Sequence, residues 1–336
     1  MNSYPATGAE AQAAIDAAAG PGYSIELAAP VNYGNLYFGH SRPCRVVFSG
    51  AATAKSLTWS GGQPLGNHIV KGAKLSGGSG VAITILDDVD GVLIEDTHIG
   101  PGYSIAYAIE RASSQWPQPR NIRIHNLVAT GMTNLGCIVG ASDNVFEDNV
   151  EMNCRLCTGG NGAYHHDKQA TRHRVRGMRI FGVNGVPACG IRAGGYVYED
   201  CEVFGCNVNF AAGHNVQSII NLVSRNAKRL ELQCGDYGPL YIDNAELTND
   251  LPASQLDQGG PGHHNIDIGG SLCSRLEIRN SRASTVAPES GTCFASSSAP
   301  EYGAVVEMTM TQARAGSPIE WGANVAHRYV FPTAIA

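Results

Sequence analysis

Along most of the chain, apolar and polar residues alternate in short runs that end in Asn, Asp or Gly, and the runs recur. Examples are GVLIEDTHIG from Gly91, NIRIHNLVAT from Asn121, VRGMRIFGV from Val175, LYIDNAELTN from Leu240 and RLEIRNSRAS from Arg275. A period of two buries one side of an extended strand, while Asn, Asp and Gly tolerate a sharp corner. NVFEDNVEMNC from Asn144 and YVYEDCEVFGC from Tyr196 match in Val, Glu, Asp and the final Cys at a separation of 52, which reads as two turns of one coil. Steps of roughly 20 to 35 residues fit a solenoid in which each coil buries its inward face on its neighbours. The pattern predicts an all-β chain folded as a single-stranded right-handed parallel β-helix.

The stretches between runs, such as CTGGNGAYHHDKQATR from Cys157, are polar and glycine-rich, so the long amphipathic helices of a doubly wound sheet are absent. An antiparallel sandwich also has many short strands, but it does not require one small motif to recur in register. A helix is predicted in PATGAEAQAAIDAAAGPG, with Thr7 and Glu10 as a capping box and Gly20, Pro21 and Gly22 as its stop. It precedes the first strand and suits a cap over the open end of the solenoid. The expected organisation is one structural domain: an N-terminal cap over 1–22, the β-helix over 23–290, and final strands, a C-terminal cap or an oligomer contact over 291–336.

Composition agrees with many turns and few helices: the 336 residues include 41 glycines, and only 15% are charged. A formal net charge of -6 argues against nucleic acid as a partner. No stretch reaches the length of a membrane span, so membrane insertion is not expected. The first residues lack the basic start and apolar run of a secretory signal. The expectation is an extracellular or virion protein whose signal was removed or which leaves its cell by another route. The 10 cysteines lie between Cys44 and Cys293, as stacked core thiols or as disulfides. Cys154 and Cys157 form a lone CxxC that lacks the second pair a zinc site requires.

With its capping helix leading into a strand, a turn and an aromatic, the opening AAAGPGYSIELAAPVNYGNLYF resembles the first coil of the chondroitinase B and alginate lyase family. That family belongs to the pectate-lyase-like superfamily of right-handed β-helices, with polysaccharide lyases, glycosidases and phage tailspike depolymerases. The resemblance implies recognition of an acidic polysaccharide along the side of the β-helix. Its most specific enzymatic form is β-elimination, in which a lysine acts as base and an arginine about one coil later acts as acid or charge stabiliser. In this sequence the matching residues are Lys168 and Arg192, the latter in GIRAGG. The family's calcium-binding acidic residues are replaced here by Asn161, Gly162 and Ala163, so calcium is not matched and no cofactor is firmly expected. A tailspike or other virion component would imply virion proteins as partners and a homotrimer.

The residues themselves leave alternatives open. His165, His166, Asp167, Arg172, Arg174, Tyr164 and Tyr237 are candidate substrate contacts, since a basic loop attracts an acidic glycan and aromatics stack on sugar rings. Crowding by Arg172, Arg174 or Arg192 would favour the neutral, basic form of Lys168. Tyr103, Tyr107 and Trp116 are further aromatics in or near loops. His165, His166 and Asp167 could also ligate a metal, alone or with His263, His264 and Asp267. A glycoside hydrolase would need a carboxylate pair, for which Asp236, Asp243, Asp257 and Asp267 are candidates. The competing class is a non-catalytic structural virion or fibre protein whose loops contact neighbouring subunits.

Overall fold

A computed structural model describes residues 2–18, 20, 22–39, 42–60, 67–159, 162–164, 170–213, 215–234, 238–256, 264–268, 273–285, 292–296, 304–312 and 329–332. Nearly every element is a short strand paired in parallel with its counterpart a coil away, and one α-helix occurs among the described residues. The fold is a right-handed parallel β-helix. Its coils fall into two compact units, 1–157 with 169–178 and 158–168 with 179–336.

The first unit opens on the helix Gly8–Asp16, which buries Ala11, Ala14 and Ile15. Thr7 accepts from the Glu10 amide at 3.2 Å, and the Glu10 carboxylate accepts from the Ala6 amide at 2.7 Å. The helix ends at Ala17, short of the Gly20 stop. Gln12 shows what the cap does: its side-chain amide donates to the Tyr37 carbonyl at 2.8 Å and accepts from the Tyr37 amide at 2.9 Å. The backbone of the first-coil strand Asn35–Tyr37 is thereby satisfied by the helix.

Successive strands of this unit place Ile25, Val46, Val70, Ile94, Ile124, Glu147 and Val175 in one inward column. Each is at most 1% exposed, so the column is apolar except for the Glu147 carboxylate. Corners are made by residues in the left-handed region, where Asn is tolerated because its amide bonds locally. Asp96, Asn126 and Asn149 have φ of 51°, 52° and 56°. Their side chains form a ladder, Asn126 donating to Asp96 at 3.0 Å and Asn149 donating to Asn126 at 2.6 Å. A second ladder runs through Asp90, Asn121 and Asn144.

The second unit is built the same way. Tyr198, Ile219, Ile242 and Ile278 form an inward column, each 0% exposed. Asp200, Asn221, Asn244 and Asn280 turn its corners at φ between 50° and 55°, with Asn221 bonded to Asp200 at 2.7 Å and Asn244 to Asn221 at 2.9 Å. The strands Thr292–Ser296, Ala304–Gln312 and Tyr329–Pro332 continue the parallel pairing beyond residue 290.

The corners correct the internal repeat by one residue. Asn144 and Asn149 take the left-handed corner conformation, and the residues that take it again are Gly195 and Asp200, so the repeat in sequence is 51 residues rather than 52. At a separation of 52, buried Glu147 would align with Glu199, which is half-buried, and the corner Asn149 with buried Cys201. Asp200 is the residue that takes the corner conformation. A one-residue slip exchanges inward and outward faces, and burial decides against it.

Inside the second unit Glu231 is fully buried and fully engaged. One carboxylate oxygen accepts from Asn209 at 2.8 Å and Ser224 at 2.5 Å; the other accepts from the Ala227 amide at 2.8 Å and Asn249 at 2.9 Å. A buried acid is tolerated only with such partners. Glu231→Ala removes an acceptor shared by three polar side chains and the Ala227 amide, and is expected to lower stability by about 3–5 kcal/mol in urea unfolding. Ser224→Ala should lower it by about 1 kcal/mol. Equal stability of Glu231→Ala and the parent would contradict the network's role.

Candidate functional site

Arg192 lies in the strand Arg179–Ala193 of the second unit and is exposed. Its partner one coil earlier is Tyr164, and its partners in later coils are Ala211 and then Gln233. Register thus places Tyr164 beside Arg192, four residues before Lys168 in sequence. Lys168, His165, His166, Asp167 and Tyr237 lie outside the described residues, as do His263, Asp236 and Asp257.

Arg172 and Arg174 belong to the first unit, where both are exposed. Arg172 grips Asp143 through two nitrogens, Nε at 2.9 Å and a shorter contact from its terminal nitrogen. Arg174 sits over the Phe146 ring at 5.6 Å, with Arg123 at 5.5 Å and Arg176 at 5.6 Å from the same centroid. Arg176 also holds both oxygens of Asp148 at 2.8 Å.

Two of the aromatics expected near loops turn inward. Tyr103 is 1% exposed and Tyr107 0%, whereas Trp116 is 48% exposed. Tyr107 lies on the strand Ile105–Glu110, and its hydroxyl donates to Glu147, whose other oxygen is 3.1 Å from His173 Nε2. A Tyr, Glu and His in contact would suit acid–base chemistry at a surface, but these three are sealed in the core and meet no substrate.

Eight described cysteines are buried thiols rather than disulfides, among them both members of the CxxC pair. Burial pushes the Cys44 and Cys189 thiols up to about 12, which removes their nucleophilic form. Among the described residues no three His, Cys, Asp or Glu side chains are grouped to hold a metal ion. No described helix is long and apolar enough to cross a membrane.

A groove of about 540 Å³ opens on the second unit where Tyr196, Gln217 and Tyr241 follow one another on successive coils. The Gln217 amide donates to the Tyr196 carbonyl at 2.8 Å and the Tyr241 amide to the Gln217 carbonyl at 2.9 Å, which fixes the spacing of the three side chains. Asn215 lines the same groove, and Glu277, paired in register with Tyr241, closes it. Glu277 contacts Arg275 and lies 3.5 Å from Arg279. The arrangement offers ring faces, amides and both signs of charge, the groups that stack on and hydrogen-bond a sugar. Tyr196 and Tyr241 are not singled out by sequence, although each opens or lies within one of the recurring apolar runs.

No family model matches the sequence, and no curated protein matches it. Among solved structures the chain is similar to the A-module of a mannuronan C-5 epimerase from Azotobacter vinelandii, with 12% identity and a TM-score of 0.54. That match covers 97% of this chain and 96% of the module. It is also similar to an alginate lyase from a Paenibacillus species, with 14% identity and a TM-score of 0.49 over 91% of this chain and 97% of the lyase. The shared property is the fold. The expected likeness to pectate-lyase-like β-helices therefore holds for architecture.

The arginine contacts of the first unit carry a pH dependence. Hydrogen bonding from Arg172 holds the Asp143 carboxyl below the ordinary carboxylate range, and Arg176 does the same for Asp148. Carboxyls depressed in the folded state contribute stability above the ordinary carboxylate range and lose it as pH falls toward their folded values. Acid titration should therefore show the contribution complete by about pH 5 and fading below about pH 4. Arg176→Met should reduce that acid-side slope and leave the neutral-pH fold intact by circular dichroism. An unchanged slope would remove Asp148 from the account.

Proposed function

We propose that this chain binds an acidic polysaccharide along the side of its second unit. The observation that carries the reading is the groove in which Tyr196 and Tyr241 flank the Gln217 amide, with Arg275 and Glu277 at its end. Two rings two coils apart, with Gln217 on the coil between them, suit a sugar chain that runs along the groove, and the guanidinium suits a sugar carboxylate. The likeness to a mannuronan C-5 epimerase supports a glycan ligand for the same architecture.

The chemistry that goes with this reading is β-elimination by Lys168 and Arg192. Arg192 neutralises the uronate carboxylate, Lys168 takes the proton from the adjacent carbon, and the electron pair forms a carbon–carbon double bond as the glycosidic oxygen leaves and takes a proton from water. The setting that fits is an extracellular or virion protein, with a homotrimeric tailspike as its specific form.

Incubation with a panel of uronic-acid polysaccharides tests both parts. Binding by calorimetry should weaken about tenfold in Tyr241→Ala, and absorbance from the unsaturated product should disappear in Lys168→Ala and Arg192→Ala. Absorbance that rises unchanged in both variants overturns the pair. Absence of binding to every member overturns the glycan reading in favour of a structural virion or fibre protein.

A further inference from the structure

A second groove of the same unit, about 610 Å³, lies beside Phe204 and is walled by the turn at Asn184, the segment Arg225 to Lys228, and the residues around Ser254 and Gln255. Phe204 stacks on Phe181 from the preceding coil with centroids 5.3 Å apart and planes 4° from parallel. Phe204 is half-buried, so the stack is a fixed platform rather than a core contact. Arg225 is the register partner of Phe204 in the next coil, and Glu246 holds its guanidinium at 3.3 Å.

Lys228 is set differently. Its stem packs on Gly185, where a Cβ would come within 2.7 Å of Lys228 Cδ. Gly185 also has φ of 81°, so this close approach depends on glycine twice over. The ammonium is thereby brought to a groove whose lining, among the described residues, includes Lys228 and Arg225 and no Asp or Glu, in a chain of net charge -6. A wall with cations, amides, a hydroxyl and one aromatic face selects a sugar that carries an anion.

We infer that this groove is a separate subsite for an acidic sugar residue, its ring on Phe204 and its carboxylate or sulfate ester on Lys228. The inference rests on the proposed glycan reading and assigns the recognition of the acidic group to a place apart from Tyr196 and Tyr241. Asn184, Ser254 and Gln255 supply hydrogen bonds to ring hydroxyls.

The test is calorimetry of a uronate oligosaccharide, its carboxyl-reduced counterpart and inorganic sulfate against the full chain, Lys228→Met, Phe204→Leu and Tyr241→Ala, each checked for folding by circular dichroism. Lys228→Met keeps the stem on Gly185 and should weaken the uronate about tenfold, flatten its salt dependence and leave the reduced sugar unchanged. Phe204→Leu should weaken both sugars. If Lys228→Met and Phe204→Leu bind as the parent does while Tyr241→Ala binds more weakly, the subsite is overturned and the glycan reading stands. Sulfate binding as tightly as the oligosaccharide, with no effect of Phe204→Leu, would make this a free-anion site and overturn the sugar assignment. If the parent binds no glycan, both readings fall.

Discussion

The structure depends on the amide ladders at its corners. A coil closes only if the chain turns sharply between strands, and the turn takes a left-handed residue, glycine at positions such as Gly177 and Gly205 and Asn or Asp where the side chains stack. Stacking those residues makes each corner the template for the next. Asn149 on Asn126 on Asp96 in one unit, and Asn244 on Asn221 on Asp200 in the other, repeat the same bond from coil to coil. Once the corners are aligned, parity along each strand is set, and the inward columns of Val, Ile and Leu follow.

That parity explains why buried acids are found at particular places. Glu147 falls on an inward position between Ile124 and Val175, so it must find partners in the core and does so in Tyr107 and His173. Glu231 is likewise surrounded by donors, two of them amides and one a hydroxyl, together with a backbone N–H. Such groups look chemical in isolation. Their burial makes them architectural, because proton transfer to a substrate needs a path that a sealed core does not provide.

The fold was legible in the sequence because its determinants are local: alternation, corner Asn and Asp, and the Thr7 and Glu10 box each act within a few residues. The repeat was read one residue out because Glu147 and Glu199 share an identity but not a face, and side-chain identity carries less weight than corner position. The candidate site was less legible. Tyr196, Gln217 and Tyr241 are each about one coil apart in sequence, and only the register brings them into one groove. Tyr103 and Tyr107 were read as loop aromatics for the same reason, since a tyrosine beside a turn can point either way until the parity of its strand is known.

Net charge shows the same limit more sharply. The chain is acidic overall, yet many of its carboxylates are tied to corners: Asp90 to Asn121, Asp96 to Asn126, Asp200 to Asn221 and Asp243 to Asn280. Asp143 and Asp148 are gripped by Arg172 and Arg176. These acids serve the ladders and their flanks, and their positions are dictated by the coil repeat. Among the described residues the groove beside Phe204 is lined by Lys228 and by Arg225, the latter held by Glu246, so Lys228 is the charge a ligand meets there. The sign of the preferred ligand is therefore set by the groups that wall the groove, Lys228 first, and not by the -6 of the whole chain.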